Sequence, residues 1–503
     1  MSYLVTQQEM RAYDIYTIEQ IGIPALVLME RAALAVAGRV EYALQGRKGK
    51  VLCVCGSGNN GGDGLALTRL LLDKGIAVET VFLGEKSRAG SEVQIQMSIL
   101  QQYGHVLKKE ITDGEYAVVV DAIFGTGLSR EVTGVYRQVI ETINQMQAYT
   151  ISVDIPSGLD ADTGKVLGTA IEANETVTLA FAKRGLYLYP GPFYAGRICT
   201  ADIGITEKSF DGRKPGMYTR KDAPASVWPV RRPDGNKGSF GKLFLAAGSG
   251  GMAGAALLAG ESAYRAGAGM VKLAVPETIR EIVQEKLPEA LLFSYEKSSS
   301  LTTEEEAAFL KNCEWAGTLA IGPGLSVCES GRRFLELALQ TRKPLLIDAD
   351  GLNILAEDEN LKQLLKKRQE AGGRTVLTPH MGELARLLGK PLAEVTATEA
   401  ESTHQAAEEF HCIVVGKSAR SYVYEPGGEM FLNTAGNDKM ATAGSGDTLL
   451  GILAALTAQG MDMRAAAEAG VYLHACAGDA AAEAAKGAGI TASDIIRGLS
   501  ALR

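Results

Sequence analysis

Histidine and cysteine are scarce in this 503-residue sequence, which holds five His and seven Cys in scattered positions. They do not form the ligand pairs typical of zinc sites, and a disulfide framework belongs to short, cysteine-dense chains. Cys53 and Cys55 alternate within a valine-rich segment, so we expect buried, reduced thiols there rather than a redox pair. Zinc and disulfide chemistry are therefore poor explanations of what this chain does.

Long apolar runs and basic stripes are missing too. No apolar stretch approaches the ~18 residues that span a bilayer, and residues 1–10 lack the basic start and apolar core of a signal peptide. The formal net charge is −8, with Lys and Arg scattered along the chain. Such a distribution offers no surface for nucleic acid or an anionic membrane. We expect a cytoplasmic protein without a nucleic-acid or membrane partner.

Short β-branched runs alternate with Ala- and Leu-rich stretches from one end of the chain to the other. This alternation is typical of parallel sheets covered by helices on both faces, and the length exceeds what one hydrophobic core supports. A segment rich in Pro, Gly and charge, about residues 210–239, interrupts the pattern. The sequence predicts an α/β protein with domains at residues 1–218 and 225–503. Strands are predicted at 51–55, 78–83, 117–120, 151–154, 242–247, 271–275, 318–321, 344–348, 376–378 and 413–416.

A glycine-rich turn follows the first of these strands. Gly56, Gly58 and Gly61 form a GxGxxG pattern, and Glu79 lies roughly 20 residues on, where a ribose-binding acid would stand. By itself the pattern suggests a dinucleotide-binding fold. The pattern is accompanied by Asn59, Asn60 and Asp63. In one interpretation these side chains bind a polar ligand, and in the other they only cap a helix.

Two further strand ends in the first half carry polar residues flanked by glycine, at residues 121–128 and 154–158. In a doubly wound sheet such ends converge on one crevice, although a lone Asp after a strand is commonly a turn cap. Oxygen atoms from Asn60, Asp121 and Ser157 would suit a hard cation such as K⁺ better than a soft metal. The first half therefore predicts a ligand crevice with a cation site.

Together the three segments resemble the NAD(P)HX epimerases, over most of residues 1 to about 215. The resemblance implies a Rossmann-like, three-layer αβα domain that interconverts the R and S epimers of hydrated NADH and NADPH. It implies Asp154 as the acid/base, a role typically worth roughly 10²–10⁴-fold in rate, and K⁺ bound by Asn60, Asp121 and Ser157. The residues implied to contact the hydrated cofactor are Asn59, Asn60, Gly61, Gly62, Asp63, Gly125, Thr126, Gly127, Leu128, Ser129, Arg130, Glu131 and Asp154.

In the second half, a glycine-rich segment at residues 442–447 precedes a long apolar run. Backbone amides at the start of a helix favour phosphate, and glycine lets phosphate approach. Phosphate would repel Asp447, so this residue either acts as an acid/base toward a hydroxyl or caps the helix. Glycine- or Asp-bearing turns also follow strands at 322–324, 348–352 and 378–383. We expect His380 to face a ligand and Lys417 to pair with phosphate as a point charge.

This half resembles the ADP-dependent NAD(P)HX dehydratases, a branch of the ribokinase-like fold, across roughly residues 225–503. The resemblance implies that S-NAD(P)HX is dehydrated to NAD(P)H at the expense of ADP, giving AMP and phosphate, with Asp447 as the base and Mg²⁺ as the divalent ion. Ser418 and Lys439 stand where the family often has Gly. The residues implied to face the hydrate are Ala255, Gly324, His380 and Asp447, and those implied to face the nucleotide are Lys417, Ser418, Ala419, Arg420, Ser421 and Gly446.

Three other functions fit parts of the sequence. A ribokinase-like small-molecule kinase joined to a Rossmann-type domain would also carry the glycine turn and Asp447. An NAD-dependent oxidoreductase would carry the GxGxxG pattern, but it would leave Asn59, Asn60 and Asp63 and the second nucleotide site unexplained. A non-enzymatic nucleotide sensor would not need Asp154 and Asp447. We also expect a homo-oligomer, and the Ala-rich segment 253–268 could serve an oligomer interface or an interior equally well.

Overall fold

The computed structural model describes residues 2–296, 300–485 and 487–502. The chain divides into two compact units, residues 2–217 and the residues from Tyr218 onwards. Each unit is built on its own α/β sheet, which confirms the predicted fold class. No helix in the described ranges is both long and apolar enough to cross a membrane.

The first unit begins with a short strand and two helices and then alternates strands with helices. Its elements are β1 Ser2–Val5, α1 Gln7–Tyr16, α2 Ala25–Leu44, β2 Lys50–Cys55, α3 Asn59–Asp73, β3 Val78–Phe82, α4 Ser91–Gln102, β4 Leu107–Lys108, β5 Tyr116–Ala122, α5 Gly134–Asn144, β6 Tyr149–Val153, β7 Glu175–Leu179, β8 Ala182–Lys183, α6 Gly191–Ala195 and β9 Arg197–Ala201.

The main sheet of the first unit has the strand order β4-β3-β2-β5-β6-β7-β9, and every pairing in it is parallel. Counted from β2, its first six strands run 3-2-1-4-5-6, the strand order of the Rossmann fold. Along β2, Cys53 and Cys55 face a core shared with α2 and α3, whereas Leu52 and Val54 face a core shared with α5. Both cysteines are buried free thiols, as predicted. Helices on both faces of one sheet give the three layers expected from the sequence.

The second unit repeats this alternation and ends in three helices. Its elements are β10 Met217–Thr219, β11 Lys242–Ala246, α7 Ala253–Arg265, β12 Met270–Pro276, α8 Glu277–Lys286, β13 Leu291–Tyr295, α9 Thr303–Trp315, β14 Thr318–Ile321, α10 Glu329–Gln340, β15 Leu345–Ile347, α11 Asp350–Glu357, α12 Glu359–Glu370, β16 Thr375–Leu377, α13 Met381–Leu388, α14 Leu392–Ala397, α15 Glu399–Phe410, β17 Ile413–Gly416, β18 Tyr422–Tyr424, β19 Met430–Leu432, α16 Ser445–Ala458, α17 Met463–Ala484 and α18 Ala492–Gly498.

The sheet of the second unit runs β13-β12-β11-β14-β15-β16-β17, all parallel, and continues with antiparallel β18 and β19. The strand order reverses between β11 and β14. The Ala-rich α7 packs against α16 so closely that a Cβ on Gly451 would lie 2.2 Å from the carbonyl oxygen of Ala259. Much of the small-residue face of α7 is therefore used inside the unit.

Candidate active sites

The first unit has a cavity of about 940 Å³ at the carboxyl ends of β2 and β5. The strand order reverses between these two strands, which is where open parallel sheets bind ligands. Most residues that the sequence assigned to the hydrate line this cavity: Asn59, Asn60, Asp63, Gly125, Thr126, Gly127, Leu128, Ser129, Arg130 and Asp154. Gly61, Gly62 and Glu131 are not among its lining residues.

Gly61 shapes the turn that carries these residues. A Cβ on Gly61 would lie 1.9 Å from the carbonyl oxygen of Gly56, so no larger residue fits without moving the backbone. A Cβ on Gly62 would lie 2.5 Å from the Met29 side chain. These glycines bring β2 and α3 close together, and their predicted contact with the hydrate has no support from the cavity lining.

The three residues predicted to bind K⁺ are linked at the cavity wall, where Asn60 and Ser157 both contact the Phe124 backbone and Ser157 contacts Asp121. The Asn60 amide donates to the carbonyl oxygen of Phe124 at 3.0 Å, and the Ser157 hydroxyl donates to Asp121 Oδ1 at 2.5 Å. The backbone N–H of Phe124 donates to Ser157 Oγ at 2.8 Å. Asn60 Oδ1 is buried without a hydrogen-bond partner in the described ranges. A buried amide oxygen without a partner is costly, so this oxygen set fits a hard cation.

Asp154 lies at the end of β6 in a left-handed backbone conformation, with φ of 68°. Its Oδ1 accepts a hydrogen bond from the backbone N–H of Leu179 at 3.0 Å and is ion-paired with Lys183. The sequence prediction missed Lys183, because a single Lys after a strand is ordinarily solvated. The only signal for it is the apolar run Leu179 to Ala182 that leads into it.

Asp63 and Asp14 line the same cavity as Asp154. Burial, with a contribution from Asp154, raises the pKa of Asp63 well above its usual range, and Lys183 opposes this shift. Burial and Asp154 also raise the pKa of Asp14. The cavity therefore combines carboxyl groups of different proton affinity, as acid–base chemistry requires.

Glu79 does not serve the site, and its suggested ribose contact is wrong. The side chain is buried beside Lys50 and accepts hydrogen bonds from the hydroxyl groups of Thr112 and Tyr116 at 2.7 and 2.8 Å. It lies near the start of β3, whereas the cavity opens at the other end of the parallel sheet. The sequence distance from the glycine-rich turn suggested a ligand contact for Glu79. The direction of β3 instead places Glu79 at the far end of the sheet from the cavity, where it holds Lys50, Thr112 and Tyr116 together.

In the second unit, Gly324 and Ala255 meet at the carboxyl ends of β11 and β14. Gly324 has a φ of 60°, and a Cβ on it would lie 2.9 Å from the Ala255 Cβ. Ser326 stands next to them, and its hydroxyl donates to Ser249 Oγ at 2.9 Å. Two of the residues predicted to face the hydrate therefore lie together at the point where this sheet's strand order reverses.

A buried ion pair stands beside the first turn of α16. Lys417 Nζ lies 2.6 Å from Asp348 Oδ1, and a Cβ on Gly446 would lie 3.3 Å from the same Nζ. Burial raises the pKa of Asp447 to about 6, with Asp348 adding to the shift and Lys417 opposing it. The sequence singled out the turn that begins at Asp348 but gave that residue no role. An ammonium group, helix amides and a carboxyl of raised proton affinity thus share one place.

His380 caps α13 while standing next to Lys417. Its Nδ1 accepts hydrogen bonds from the backbone N–H groups of Gly382 and Glu383 at 3.0 and 3.2 Å. Burial lowers the pKa of His380, which favours the neutral ring whose Nδ1 accepts these two hydrogen bonds. The backbone N–H of Lys417 donates to the carbonyl oxygen of Pro379 at 2.8 Å. Capping fixes the ring's orientation, and Nε2 lies 3.3 Å from Glu383 Oε1 on the exposed side of the ring.

The remaining residues predicted to face the nucleotide form the turn between β17 and β18. Ser418 Oγ donates to Glu399 Oε2 at 2.7 Å and accepts from the backbone N–H of Arg420. The Arg420 guanidinium donates to the carbonyl oxygen of Thr434 at 2.8 Å. Ala419 is exposed, and Ser421 is half-buried. The turn starts at Lys417 and so extends outward from the ion pair with Asp348.

Clusters of three or more His, Cys, Asp or Glu side chains arranged for a metal ion do not occur among the residues that the structure describes. The candidate cation site in the first unit is of another kind, since it contains amide, carboxylate and hydroxyl oxygens.

Comparisons with known proteins agree with this two-site arrangement. A family model described as NAD(P)H-hydrate dehydratase matches residues 243–500, and one described as YjeF-related protein N-terminus matches residues 25–185. The bifunctional NAD(P)H-hydrate repair enzyme Nnr of Moorella thermoacetica is 37% identical over 98% of this chain and 95% of its own length. The enzyme of the same name from Escherichia coli is 32% identical over 93% of this chain and 90% of its own length.

Among solved structures, an ADP/ATP-dependent NAD(P)H-hydrate dehydratase from Bacillus subtilis, co-crystallised with ATP and Mg²⁺, is 27% identical, with a TM-score of 0.47 over 56% of this chain and 94% of that one. The full-length relatives and the two family models cover both units. The chain therefore belongs to the family of bifunctional NAD(P)H-hydrate repair enzymes.

Proposed function

We propose that this chain repairs hydrated NADH and NADPH in two steps. The first unit interconverts the R and S epimers, and the second dehydrates the S epimer with ADP. One observation supports the proposal: Asp154 lines the 940 Å³ cavity of the first unit, and Asp447 lies in the first turn of α16 near the ion pair of Lys417 with Asp348. The family of the chain makes NAD(P)H-hydrates and an adenine nucleotide the expected substrates.

Dehydration needs help because hydroxide is a poor leaving group. Asp447 takes the proton of the substrate hydroxyl, whose oxygen attacks the terminal phosphorus of ADP and displaces AMP. Lys417 and the amides at the start of α16 stabilise the charge of the phosphoryl group in transfer. Phosphate then leaves as the neighbouring carbon loses a proton, which restores the ring double bond. The products are NAD(P)H, AMP and phosphate.

Two ions complete the proposal. K⁺ in the first unit would be held by Asn60 Oδ1, Asp121 and Ser157, and it would fix the start of α3, the end of β5 and the segment after β6 to one another. Mg²⁺ in the second unit would neutralise phosphate charge. It would be held largely by nucleotide phosphates and water, as this ion usually is. The support for K⁺ is the partnerless buried oxygen of Asn60.

The predicted substrate and nucleotide contacts in both units belong to this proposal. So do a cytoplasmic location and a homo-oligomeric state. For the domain boundary we propose the division between Met217 and Tyr218. The Tyr218 ring packs at a tilt against the Phe431 ring, with centroids 5.7 Å apart, and its hydroxyl donates to Glu468. The segment before residue 225 therefore contributes to the second unit.

The direct test is to incubate the purified protein with both hydrate epimers and ADP or ATP while following the absorbance of the reduced cofactor. We expect near-complete recovery with nucleotide and none without it. Epimer exchange should be faster in K⁺ than in strictly K⁺-free buffer and should be indifferent to chelators. Failure to recover NAD(P)H with either nucleotide would exclude the dehydratase assignment, and equal exchange rates with and without K⁺ would exclude the ion.

A further inference from the structure

A buried lysine stands directly behind Asp154. The Lys183 side chain is fully buried, and Nζ donates to the carbonyl oxygen of Leu179 at 3.0 Å, to Thr178 Oγ1 at 3.3 Å and to Asp154. All three ammonium hydrogens are thus used. Burying a charge is costly unless it is paired and hydrogen-bonded, and an apolar side chain would fill the same space more cheaply. A buried lysine at this position therefore indicates that its positive charge has a function.

The position of Lys183 is set by backbone pairing. Strand β8 pairs in parallel with β1, with Val5 opposite Lys183. Leu179 and Thr178 belong to the end of β7, so the lysine bridges β7 and the end of β6. The ammonium group is therefore held by two strands and cannot move away from Asp154 without disturbing both.

This pairing uses one oxygen of Asp154 and leaves the other. Oδ1 accepts from Lys183 and from the backbone N–H of Leu179, whereas Oδ2 accepts no hydrogen bond from the residues that the structure describes. Asp154 lines the 940 Å³ cavity and holds a left-handed φ of 68°. A non-glycine residue holds such a strained backbone conformation only where the surrounding contacts fix it, and this is often the case at a reacting group. The arrangement presents Oδ2 to a ligand.

Asp63 is the counterpart of Asp154 in the same cavity. Its carboxyl is buried and makes no hydrogen bond within residues 2–296, 300–485 and 487–502. An ionised carboxylate without partners is costly in such a place, so the protonated form is favoured. The other titratable or charged groups around the pair are Asp14 on α1, Cys55 on β2, Asp121 on β5, and Arg11, Glu92 and Arg130 along the cavity wall.

We propose that Lys183 is the positioning residue of the epimerase site, fixing Asp154 with Oδ2 toward the substrate, and that Asp63 is the complementary proton donor. This inference rests on the proposed epimerase function and names the groups that carry it out. Lys183 acts only through Asp154, whereas Asp63 and Asp154 meet the substrate.

The chemistry of a hydrated ring needs both groups. Water adds to an enamine at the carbon next to nitrogen, so that carbon carries both the hydroxyl and the ring nitrogen. Asp154 takes the hydroxyl proton, the O–H electron pair becomes the second bond of a carbonyl, and the carbon–nitrogen bond breaks with its electrons passing to nitrogen. Asp63 gives its proton to that nitrogen. Rotation exposes the other carbonyl face, and closure by the reverse proton transfers gives the other epimer, with no net gain or loss of atoms.

The test measures epimer exchange by chromatography in Lys183→Met, Lys183→Arg and Asp63→Asn. We expect Lys183→Met to lower kcat about 10-fold or more, with KM little changed, because acid–base catalysis contributes roughly 10²–10⁴-fold. The acidic limb of its kcat/KM profile should move to higher pH, since a carboxylate that loses a neighbouring cation takes up a proton more readily. Lys183→Arg should restore part of the rate, and Asp63→Asn should lose the basic limb together with most of kcat.

Lys50→Met is the matched control. It removes a lysine paired with a buried carboxylate, Glu79, at the opposite end of the same parallel sheet. It should leave the pH profile in place, even where it lowers stability. A Lys183→Met protein that folds and keeps the wild-type rate and profile would overturn the role of Lys183.

A second comparison covers the case in which Lys183→Met does not fold. The double variant Lys183→Met with Asp154→Asn removes both charges of the pair, and its exchange rate is compared with that of Asp154→Asn alone. Equal rates support action through Asp154, whereas a further loss of 10-fold or so would contradict it, since residues acting as a unit are not additive. A wild-type protein that exchanges no epimers would instead remove the proposed function itself.

Discussion

Asp447 is the side chain on which dehydration most depends. Burial and Asp348 raise its pKa to about 6, while Lys417 draws it back. A base of this strength is largely ionised at neutral pH and is still basic enough to accept a hydroxyl proton. The residues around it therefore tune Asp447 for its proposed role as much as they hold it in place.

Replacing Asp447 with Asn should abolish nucleotide-dependent dehydration and leave epimer exchange intact, because the two sites lie in separate units. We expect a loss of about 100-fold or more in NAD(P)H recovery, measured by absorbance. The same carboxylate-to-amide change at the exposed Glu304 of α9 serves as the control. Full recovery by the Asp447→Asn protein would remove this residue from the mechanism.

The pH dependence of dehydration tests the same residue. A base works only when deprotonated, so kcat/KM should fall as the pH drops through about 6, the pKa of Asp447. Asp348→Asn removes a negative charge that raises this pKa and frees Lys417 to face Asp447. The acidic limb of the kcat/KM profile should therefore move to lower pH, even if the substitution also changes the maximal rate. A limb that stays in place, or moves up, would contradict the assignment.

Among the loops and strands, the turn between β2 and α3 leaves no room for a side chain at Gly61. Gly61→Ala should lower the free energy of unfolding of the first unit by about 1–3 kcal/mol, because its Cβ would overlap the carbonyl oxygen of Gly56. Gly58→Ala is the matched control, since a Cβ there meets nothing within 4 Å. Denaturant unfolding and epimer exchange measure the effect. Equal stability of the two variants would show that the turn tolerates a side chain at Gly61.

All ten predicted strands are present, with ends shifted by one or two residues. They could be predicted because buried parallel strands are short apolar runs bounded by Gly and Pro. Strand β7 was not predicted because Glu175, Thr176 and Thr178 make it look polar. In the structure Glu175 pairs with Arg39, and Thr176 donates to the carbonyl oxygen of Ala195 at 2.7 Å. A buried strand with polar residues is not recognised from the sequence when the partners of those residues lie far away along the chain.

In the candidate sites, too, some residues could be predicted from the sequence and others could not. Motifs that follow strands pointed to Asn60 and Asp154, since the ends of parallel strands converge, and a glycine-rich segment before a helix pointed to Asp447. Lys183 and Asp348 gained their meaning only from strand pairing, which places Lys183 beside β7 and brings Lys417 across the sheet to Asp348. The sequence around Lys183 or Asp348 does not indicate these contacts, because the partner residues are brought close only by the fold.

For the chain taken whole, the two units should work independently. A fragment that starts at Tyr218 should fold and dehydrate alone, and one that starts at Ala225 should also dehydrate but unfold at a lower temperature. The shorter fragment lacks Tyr218, which meets Glu468, and Asp222, whose carbonyl oxygen accepts from the Tyr472 hydroxyl at 2.7 Å. Thermal unfolding and NAD(P)H recovery check this. An insoluble or inactive fragment from Tyr218 would show that the second unit needs the first.

The central claim is that the two units serve one repair pathway. A chiral site around Asp447 can align only one epimer for phosphoryl transfer, so the other must first be inverted at Asp154. The decisive measurement is chromatographic separation of both epimers during dehydration by wild-type and Asp154→Ala protein. The wild type should clear both in one near-complete phase, whereas the variant should consume the S epimer at the normal rate and leave the R epimer to decay as slowly as it inverts spontaneously. Consumption of both epimers at wild-type rates by Asp154→Ala would contradict the account.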